Sequence, residues 1–278
     1  DMMIQFQCMC ADCFFTDYMP RKFSLKRLRR AFSSWQTQLD GRGWNALYLE
    51  NHDHPRVISR YGSEQYRVES GKMLAAMYIL QRGTPFIYQG QEIGMTNICL
   101  PEIELYKDVA SRNNYRIFSR LLGKKRAMKL LAYSSRENSR TPVQWDAGPN
   151  AGFSSAPPWF NINPNYTQVN VAAQEEDPDS LLNFYRSLLS YRKGEPLALY
   201  GDYRELYPED KNFYAYERSY QGRRLLVICH FSSNPHGFTA PADMELAKGK
   251  LLFSNYKTHS FNGNGFVARP WELRVYEF

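Results

Sequence analysis

The chain has 278 residues, 43% of them hydrophobic and 23% charged, with 35 Lys and Arg against 28 Asp and Glu. These proportions exclude a wholly disordered polypeptide, and the length accommodates one large domain or two of ordinary size. The longest strongly apolar run, Met73 to Leu80, falls far short of the ~20 residues of a spanning helix, so no membrane partner is expected.

Met2–Phe6 opens the chain as a short apolar run of strand character. Leu25, Leu28, Phe32, Trp35 and Leu39 follow at steps of three and four, which makes one buried helical stripe. Lys26, Arg27, Arg29 and Arg30 interleave with that stripe and read as its solvated face. The net charge of +7 therefore needs no polyanion, and nucleic acid is not expected as a partner. Asn45–Leu49 is a second apolar run, ending in Glu50-Asn51-His52-Asp53 before Pro55. Glu64–Gln81 reads as a second helix, with Met73/Met77 and Leu74/Tyr78 at i, i+4 spacing. Gly83-Thr84-Pro85 then introduces Phe86-Ile87-Tyr88, closed by Gly90. Strand, helix, strand, helix, strand with continuous apolar strands predicts parallel βα units.

Past Gly90 the character changes. From Gln91 to about Glu176 a single helix around Arg112–Tyr133 is predicted amid stretches rich in Asn, Ser, Pro and Gly, and irregular segments of such length are usually functional. Asp177-Pro178 reads as N-cap and first-turn proline of a helix carrying Leu181, Leu182, Tyr185, Leu188 and Leu189, stopped at Gly194. Beyond it, Tyr200–Tyr207, Asn212–Ser219, Arg223–Phe231, Lys250–Asn255 and Trp271–Phe278 are β-branched or aromatic runs separated by turn residues. They predict an antiparallel β domain, so the chain divides into residues 1–194 and 195–278.

In parallel α/β architectures functional side chains collect at the carboxyl ends of strands. The run Leu47–Leu49 delivers Asn51-His52-Asp53-His54-Pro55-Arg56 to such an end. A carboxylate there can accept hydroxyl hydrogens and stabilise positive charge, while His and Arg donate; an Asp closing a strand before an X-Pro turn is the plain structural alternative. His52 and His54 at i, i+2 have no identifiable third ligand, so no metal is expected. Cys8-x-Cys10-x-x-Cys13 resembles half a zinc knuckle without its second pair. Five irregularly spaced cysteines and a first segment without a basic region or apolar core of a leader point to a reducing compartment, the cytoplasm.

Four collinear segments carry a resemblance. Asn45-Ala46-Leu47-Tyr48-Leu49-Glu50-Asn51-His52-Asp53-x-Pro55-Arg56 is followed by Gly83-Thr84-Pro85-Phe86-Ile87-Tyr88-Gln89-Gly90-x-Glu92-Ile93-Gly94-Met95-Thr96-Asn97. Asn138-Ser139-Arg140-Thr141-Pro142-Val143-Gln144-Trp145 comes next, then Pro158-Trp159 with Asn163-Pro164-Asn165-Tyr166. Together they resemble the oligo-1,6-glucosidase and α-glucosidase branch of glycoside hydrolase family 13.

The resemblance implies an α/β fold: the C-terminal part of a (β/α)8 TIM barrel, strands six to eight, followed by an antiparallel β-sandwich. It implies retaining hydrolysis of α-glucosidic bonds in a small-molecule gluco-oligosaccharide, with no cofactor. Asp53 matches the carboxylate that stabilises the transition state, His52 and Arg140 match groups of the glucose subsite, and His54 and Arg56 fall at its rim. The nucleophilic Asp and general-acid Glu belong to strands four and five, so the resemblance implies a portion of an enzyme, inactive and poorly soluble alone. Trehalose-6-phosphate hydrolase shares all four segments, and a non-catalytic relative that keeps the fold is a further possibility. Several positions depart from the family pattern: His54 where Gln is usual, Gln91 where Glu is usual, a less acidic Tyr106–Asn113, and Gln5–Cys10 at the end of strand six.

Overall fold

Three strands lie side by side in the computed structural model, which describes residues 1–278. β1 (Met2–Met3) pairs in parallel with β2 (Trp44–Leu47), and β2 in parallel with β3 (Thr84–Pro85). The registers run Met2 to Trp44 and Ala46 to Thr84, so the strands neighbour one another in chain order, as βα units require. Each is shorter than its apolar run, although Phe86 still donates its backbone N–H to Leu47 O at 2.7 Å. Gly83 permits the close approach of β3 to β2. Its φ is +145°, and a Cβ there would meet Asn45 O at 2.4 Å.

Between these strands run α1 (Leu25–Gln38), a short α2 (Val57–Arg60) and α3 (Arg67–Ile79). The Ser24 side chain caps α1 by accepting from the Arg27 N–H, and Leu25, Leu28 and Phe32 face inward as the spacing predicts. The basic face of α1 is not wholly solvated. Arg29 is buried and donates to Asp210 O at 2.9 Å and Phe213 O at 3.0 Å, with Glu205 at 2.9 Å; Lys26 pairs with Glu209 at 2.8 Å. Those two cations tie α1 to the following β unit.

After β3 come α4 (Val109–Leu122), α5 (Lys124–Ser134), α6 (Val171–Glu176), α7 (Leu181–Gly194) and α8 (Pro196–Tyr200). The one helix predicted over Arg112–Tyr133 is two, broken at Gly123, whose φ of +82° ends α4 and reverses the chain into α5. The cap of α7 also differs from expectation. Ser180, not Asp177, accepts from the Asn183 N–H, while Asp177 closes the preceding turn through Asp179 N–H.

The β unit holds β4 (Asp202–Leu206), β5 (Phe213–Tyr220), β6 (Arg223–His230), β7 (His236–Thr239), β8 (Lys250–Ser254), β9 (Gly265–Ala268) and β10 (Leu273–Glu277). Five form an antiparallel sheet of order β4-β5-β6-β10-β8, and β7 pairs with β9 in a second, two-stranded sheet that the sequence reading missed. Period-two alternation sorts the larger sheet's side chains. Phe213, Ala215, Leu226 and Ile228 meet Phe238 and Phe266 of the small sheet. Tyr214, Tyr216, Leu225, Val227 and Cys229 belong to one continuous core with Met73–Leu80 of α3 and its end.

That core leaves α3 buried on every side from Ser70 to Ile79, which is why this part of its sequence lacks a polar stripe. Two buried arginines satisfy the carbonyls where it ends. Arg192 donates to Ile79 O and Gln81 O at 2.5 and 2.8 Å, and Arg218 to Leu80 O at 2.5 Å. Both also donate to Ala198 O in α8. Burial pulls each guanidinium down to about 10, and neither is paired with a carboxylate; carbonyls at a helix C-terminus supply the compensating negative dipole. All five cysteines are free, and no helix is long and apolar enough to cross a membrane.

Candidate active site

The end of β2 builds the site. Tyr48, Leu49 and Glu50 stay buried, and the chain then turns at Asn51. The Asn51 Oδ1 accepts the Asp53 N–H at 2.8 Å and lies 2.8 Å from His54 Nδ1, an Asx-type turn that fixes the backbone locally. The turn presents two consecutive side chains outward, His52 at 72% exposure and Asp53 at 39%. His52 Nε2 lies 3.5 Å from Asp53 Oδ2.

Arg140 organises the group from across the fold. Its Nε donates to His52 O at 2.9 Å, its Nη2 to Asp53 Oδ1 at 3.1 Å and its Nη1 to Asp108 Oδ2 at 2.8 Å. A guanidinium suits this because its planar fork serves several acceptors at fixed angles. Arg136, one turn earlier in a 3-10 segment, places Nε 3.5 Å from the same Asp53 oxygen and Nη1 3.9 Å from Asp108. Two carboxylates and two guanidiniums thus form one half-exposed network.

Asp108 has a second task. Its Oδ1 accepts the Ala110 N–H at 2.7 Å and caps α4, while its own N–H donates to buried Glu137 at 2.8 Å. Glu137 also accepts from Ser111 Oγ at 2.7 Å. Cap, guanidinium and buried carboxylate therefore lock the start of α4 against Asp53. Sequence reasoning missed Asp108 and Arg136. The N-cap pattern at Asp108 was visible before Val109-Ala110, but nothing in the spacing tied it to Arg140.

His54 and Arg56 do not lie at a rim. Arg56 is fully buried, and donates to Glu50 at 3.1 Å, Gln89 O at 2.7 Å, Asn138 O at 3.3 Å and Ser139 O at 3.4 Å. Glu50 in turn accepts the Val57 N–H at 2.7 Å; burial raises its pKa, with Arg56 opposing. Gly90 leaves room for this guanidinium, since a Cβ there would stand 3.2 Å from Arg56 Nη1 and 2.3 Å from Met95 Sδ. Arg56 is thus a strut joining the ends of β2 and β3 to the segment that carries Arg140. His54 is 7% exposed, with Nε2 3.4 Å from Asp17 Oδ2. Burial pulls its pKa down to about 4, with Asp17 opposing. The reason both differ from expectation is the turn itself, which sends His52 and Asp53 outward and the next residues in.

Beside Glu50 and Asn51 the residues that follow the three strands line an open, mostly apolar cavity of about 230 Å³, with Ile4, Phe6, Tyr48, Phe86 and Tyr88 among its walls. Met2, Met3, Ile4 and Phe6 are exposed along its edge. Chemically the arrangement offers one accessible carboxylate, Asp53, held by cations and flanked by an imidazole. Asp108 is spoken for by the helix cap and both guanidiniums.

The chain is similar to known proteins over most of its length. Residues 1–201 match the family model described as alpha amylase, catalytic domain. The chain is 42% identical over 261 residues to an oligo-1,6-glucosidase of Parageobacillus thermoglucosidasius, covering 92% of this chain and 46% of that protein. It is 39% identical over 259 residues to a trehalose-6-phosphate hydrolase of Bacillus subtilis (strain 168), covering 91% and 46%. Its structure is similar to that of a trehalose-6-phosphate hydrolase of Bacillus licheniformis, with a TM-score of 0.94 and 38% identity, over 100% of this chain and 51% of that one. The chain thus spans about half the length of the relatives it matches.

Proposed function

The chain belongs to the α-amylase catalytic-domain family, glycoside hydrolase family 13, and from that membership we propose that it is the C-terminal portion of an α-glucosidase of the oligo-1,6-glucosidase type. In this reading β1, β2 and β3 are strands six, seven and eight of a (β/α)8 barrel. Residues 1–194 are the last part of that barrel and residues 195–278 a β-sandwich. Parallel neighbours in chain order support the first statement, and two facing antiparallel sheets support the second.

The whole protein hydrolyses α-glucosidic bonds of short oligosaccharides with retention. Such a reaction passes through an oxocarbenium-like transition state and uses one carboxylate as nucleophile and a second as acid. Asp53 is neither. It accepts hydroxyl hydrogens from the glucose ring and sets negative charge beside the positive charge that develops on it. His52 donates to the same ring, and Arg140 aims Asp53; Arg56 and His54 hold the turn from inside rather than touching sugar. Nucleophile and acid come from the earlier part of the barrel, and this chain alone turns over no glucoside. Free cysteines support a reducing compartment, the cytoplasm.

The observation that carries this reading is the Asp53 carboxylate at the end of β2 with Arg140 3.1 Å away and exposed His52 3.5 Å away. The deciding experiment assays the full-length protein on isomaltose and on trehalose 6-phosphate. Faster turnover of isomaltose is expected. Preference for trehalose 6-phosphate would install the second reading, which rests on the 39% identity to a trehalose-6-phosphate hydrolase. Glucose binding without hydrolysis of either would mark a non-catalytic relative. Turnover of p-nitrophenyl α-glucoside by the 278-residue chain alone would overturn its assignment as an inactive portion.

A further inference from the structure

The whole excess of positive charge sits in one helical hairpin. Between Val109 and Ser134 the sequence contains Arg112, Arg116, Arg120, Lys124, Lys125, Arg126 and Lys129 and no acidic residue. Elsewhere the chain carries 28 basic residues against its 28 acidic ones, so the remainder is neutral. All seven cations are exposed. Arg112 donates to Tyr106 O and Arg116 to Asn113 Oδ1, and none of the seven pairs with a carboxylate. On α1, by contrast, two of the four basic residues, Lys26 and Arg29, are matched by Glu209 and Glu205, and Arg27 donates to Cys13 O.

The same hairpin exposes apolar side chains. Leu121 is 74% and Leu122 43% exposed at its tip, directly before Gly123 and the Lys124-Lys125-Arg126 triplet. On α4, Arg112, Arg116 and Arg120 recur every four residues and form one ridge, while Ile117 and Leu121 form the adjoining one, Ile117 also exposed. The inner side is occupied: Tyr115 and Met128 pack against a small core that includes Leu131 and Tyr106. The outer side is thus a cationic surface with apolar residues interleaved, and the tip lies about 20 Å from the Asp108 end along a 14-residue helix.

We propose that the tip and outer face of the α4–α5 hairpin dock on an anionic lipid surface, with Leu121 and Leu122 entering the headgroup boundary and the seven cations meeting acidic headgroups. Several unpaired Lys and Arg side chains on an amphipathic helical element bind acidic lipids through additive electrostatics, and exposed leucines add apolar burial. Nucleic acid would satisfy the charge but gives the paired leucines no role. The sequence argued against a membrane partner only through the lack of a spanning run, and surface docking needs none. The proposal is independent of the catalytic reading.

The test measures partition of the full-length protein onto phosphatidylcholine vesicles with and without phosphatidylserine. Binding is expected to require phosphatidylserine and to collapse between about 0.1 M and about 1 M salt, where the screening length falls from about 10 to about 3 Å. Replacing Lys124, Lys125 and Arg126 by Gln should weaken partition about 100-fold, at about fivefold per charge. The L121S/L122S double variant should weaken vesicle binding while leaving any binding to duplex DNA unchanged. Both variants alter exposed positions, and an unchanged thermal transition checks that folding is intact. Equal binding to both vesicle types, no binding, or vesicle binding indifferent to L121S/L122S overturns the proposal. Tighter binding to duplex DNA than to acidic vesicles would assign the surface to nucleic acid instead.

Discussion

Arg140 Nη2 and Asp53 Oδ1 stand 3.1 Å apart although 87 positions separate them in the chain. The contact joins the end of β2 to the segment after α5, so the accessible carboxylate is aimed by a part of the protein that folds around it from the far side. Because the other two Arg140 nitrogens serve His52 O and Asp108, the guanidinium cannot rotate without losing all three partners.

In the full-length enzyme, Asp53→Asn is expected to lower kcat about 10²–10³-fold, the usual loss when one transition-state electrostatic group is removed. Arg140→Lys keeps the charge but not the fork, and should lower kcat/KM by about tenfold or more through misplacement of Asp53. Steady-state kinetics on isomaltose read both. Unaltered kcat in Asp53→Asn would remove Asp53 from the chemistry.

Asp108 separates stability from positioning. Asp108→Ala loses the α4 cap and the contact to Arg140, and should cost about 1 kcal/mol of stability as well as activity. Asp108→Ser retains a capping oxygen but cannot pair with a guanidinium. It should match wild type in thermal unfolding and match Asp108→Ala in kinetics. Equal stability losses in the two variants would sink the capping role.

The Glu50–Arg56 pair is wholly buried, and breaking such a pair leaves an uncompensated charge in the interior. Arg56→Met in the full-length protein should cost about 3–5 kcal/mol in urea unfolding. Adding Glu50→Gln should recover part of that loss, because the orphaned carboxylate is then gone. A double variant as unstable as the sum of both single variants would argue against direct coupling.

His54 gives a pH signature. Its pKa falls from the ordinary 6.5 to about 4 on folding, chiefly through burial, so the unfolded chain takes up the proton first. Its contribution to stability is complete above about pH 6.5 and is lost as the pH falls towards 4, about 2 kcal/mol between pH 7 and pH 5. His54→Gln should flatten that part of the urea-midpoint profile. Buried His230, also pulled down by burial, supplies a slope that remains. An unchanged profile in His54→Gln would show that His54 does not titrate as described.

Much of the fold was legible where one face of an element repeats. The α1 stripe from Leu25 shows its period because that helix buries one face, and β5 and β6 show as continuous apolar and aromatic runs because both of their faces are covered. The α4–α5 break was illegible because Gly123 stood inside an otherwise helical pattern, and a lone glycine is compatible with either outcome. β7 and β9 are four residues each, too short for alternation to register. At the site, the strand end pointed to Asp53 and His52 and the resemblance alone to Arg140, and the structure brings the three side by side. Arg56 was misplaced because the resemblance matched its position in the chain and not the direction in which the turn sends its side chain. That direction is set by Asn51 and by the carbonyls and carboxylate that receive the guanidinium.

The helix with no outward face bears on how this protein can change over time. Met73–Leu80 are packed against Tyr214, Tyr216 and Val227 of the sheet, and Arg192 and Arg218 bind the carbonyls where the helix ends. A genetic exchange with its breakpoint near residue 194 would bring in a sheet whose aromatic face was shaped against a different helix. Tail swaps between distant relatives should therefore yield insoluble chimaeras, while swaps that carry residues 67–83 along with the sheet should be tolerated. The two units are inherited as one mould and its cast.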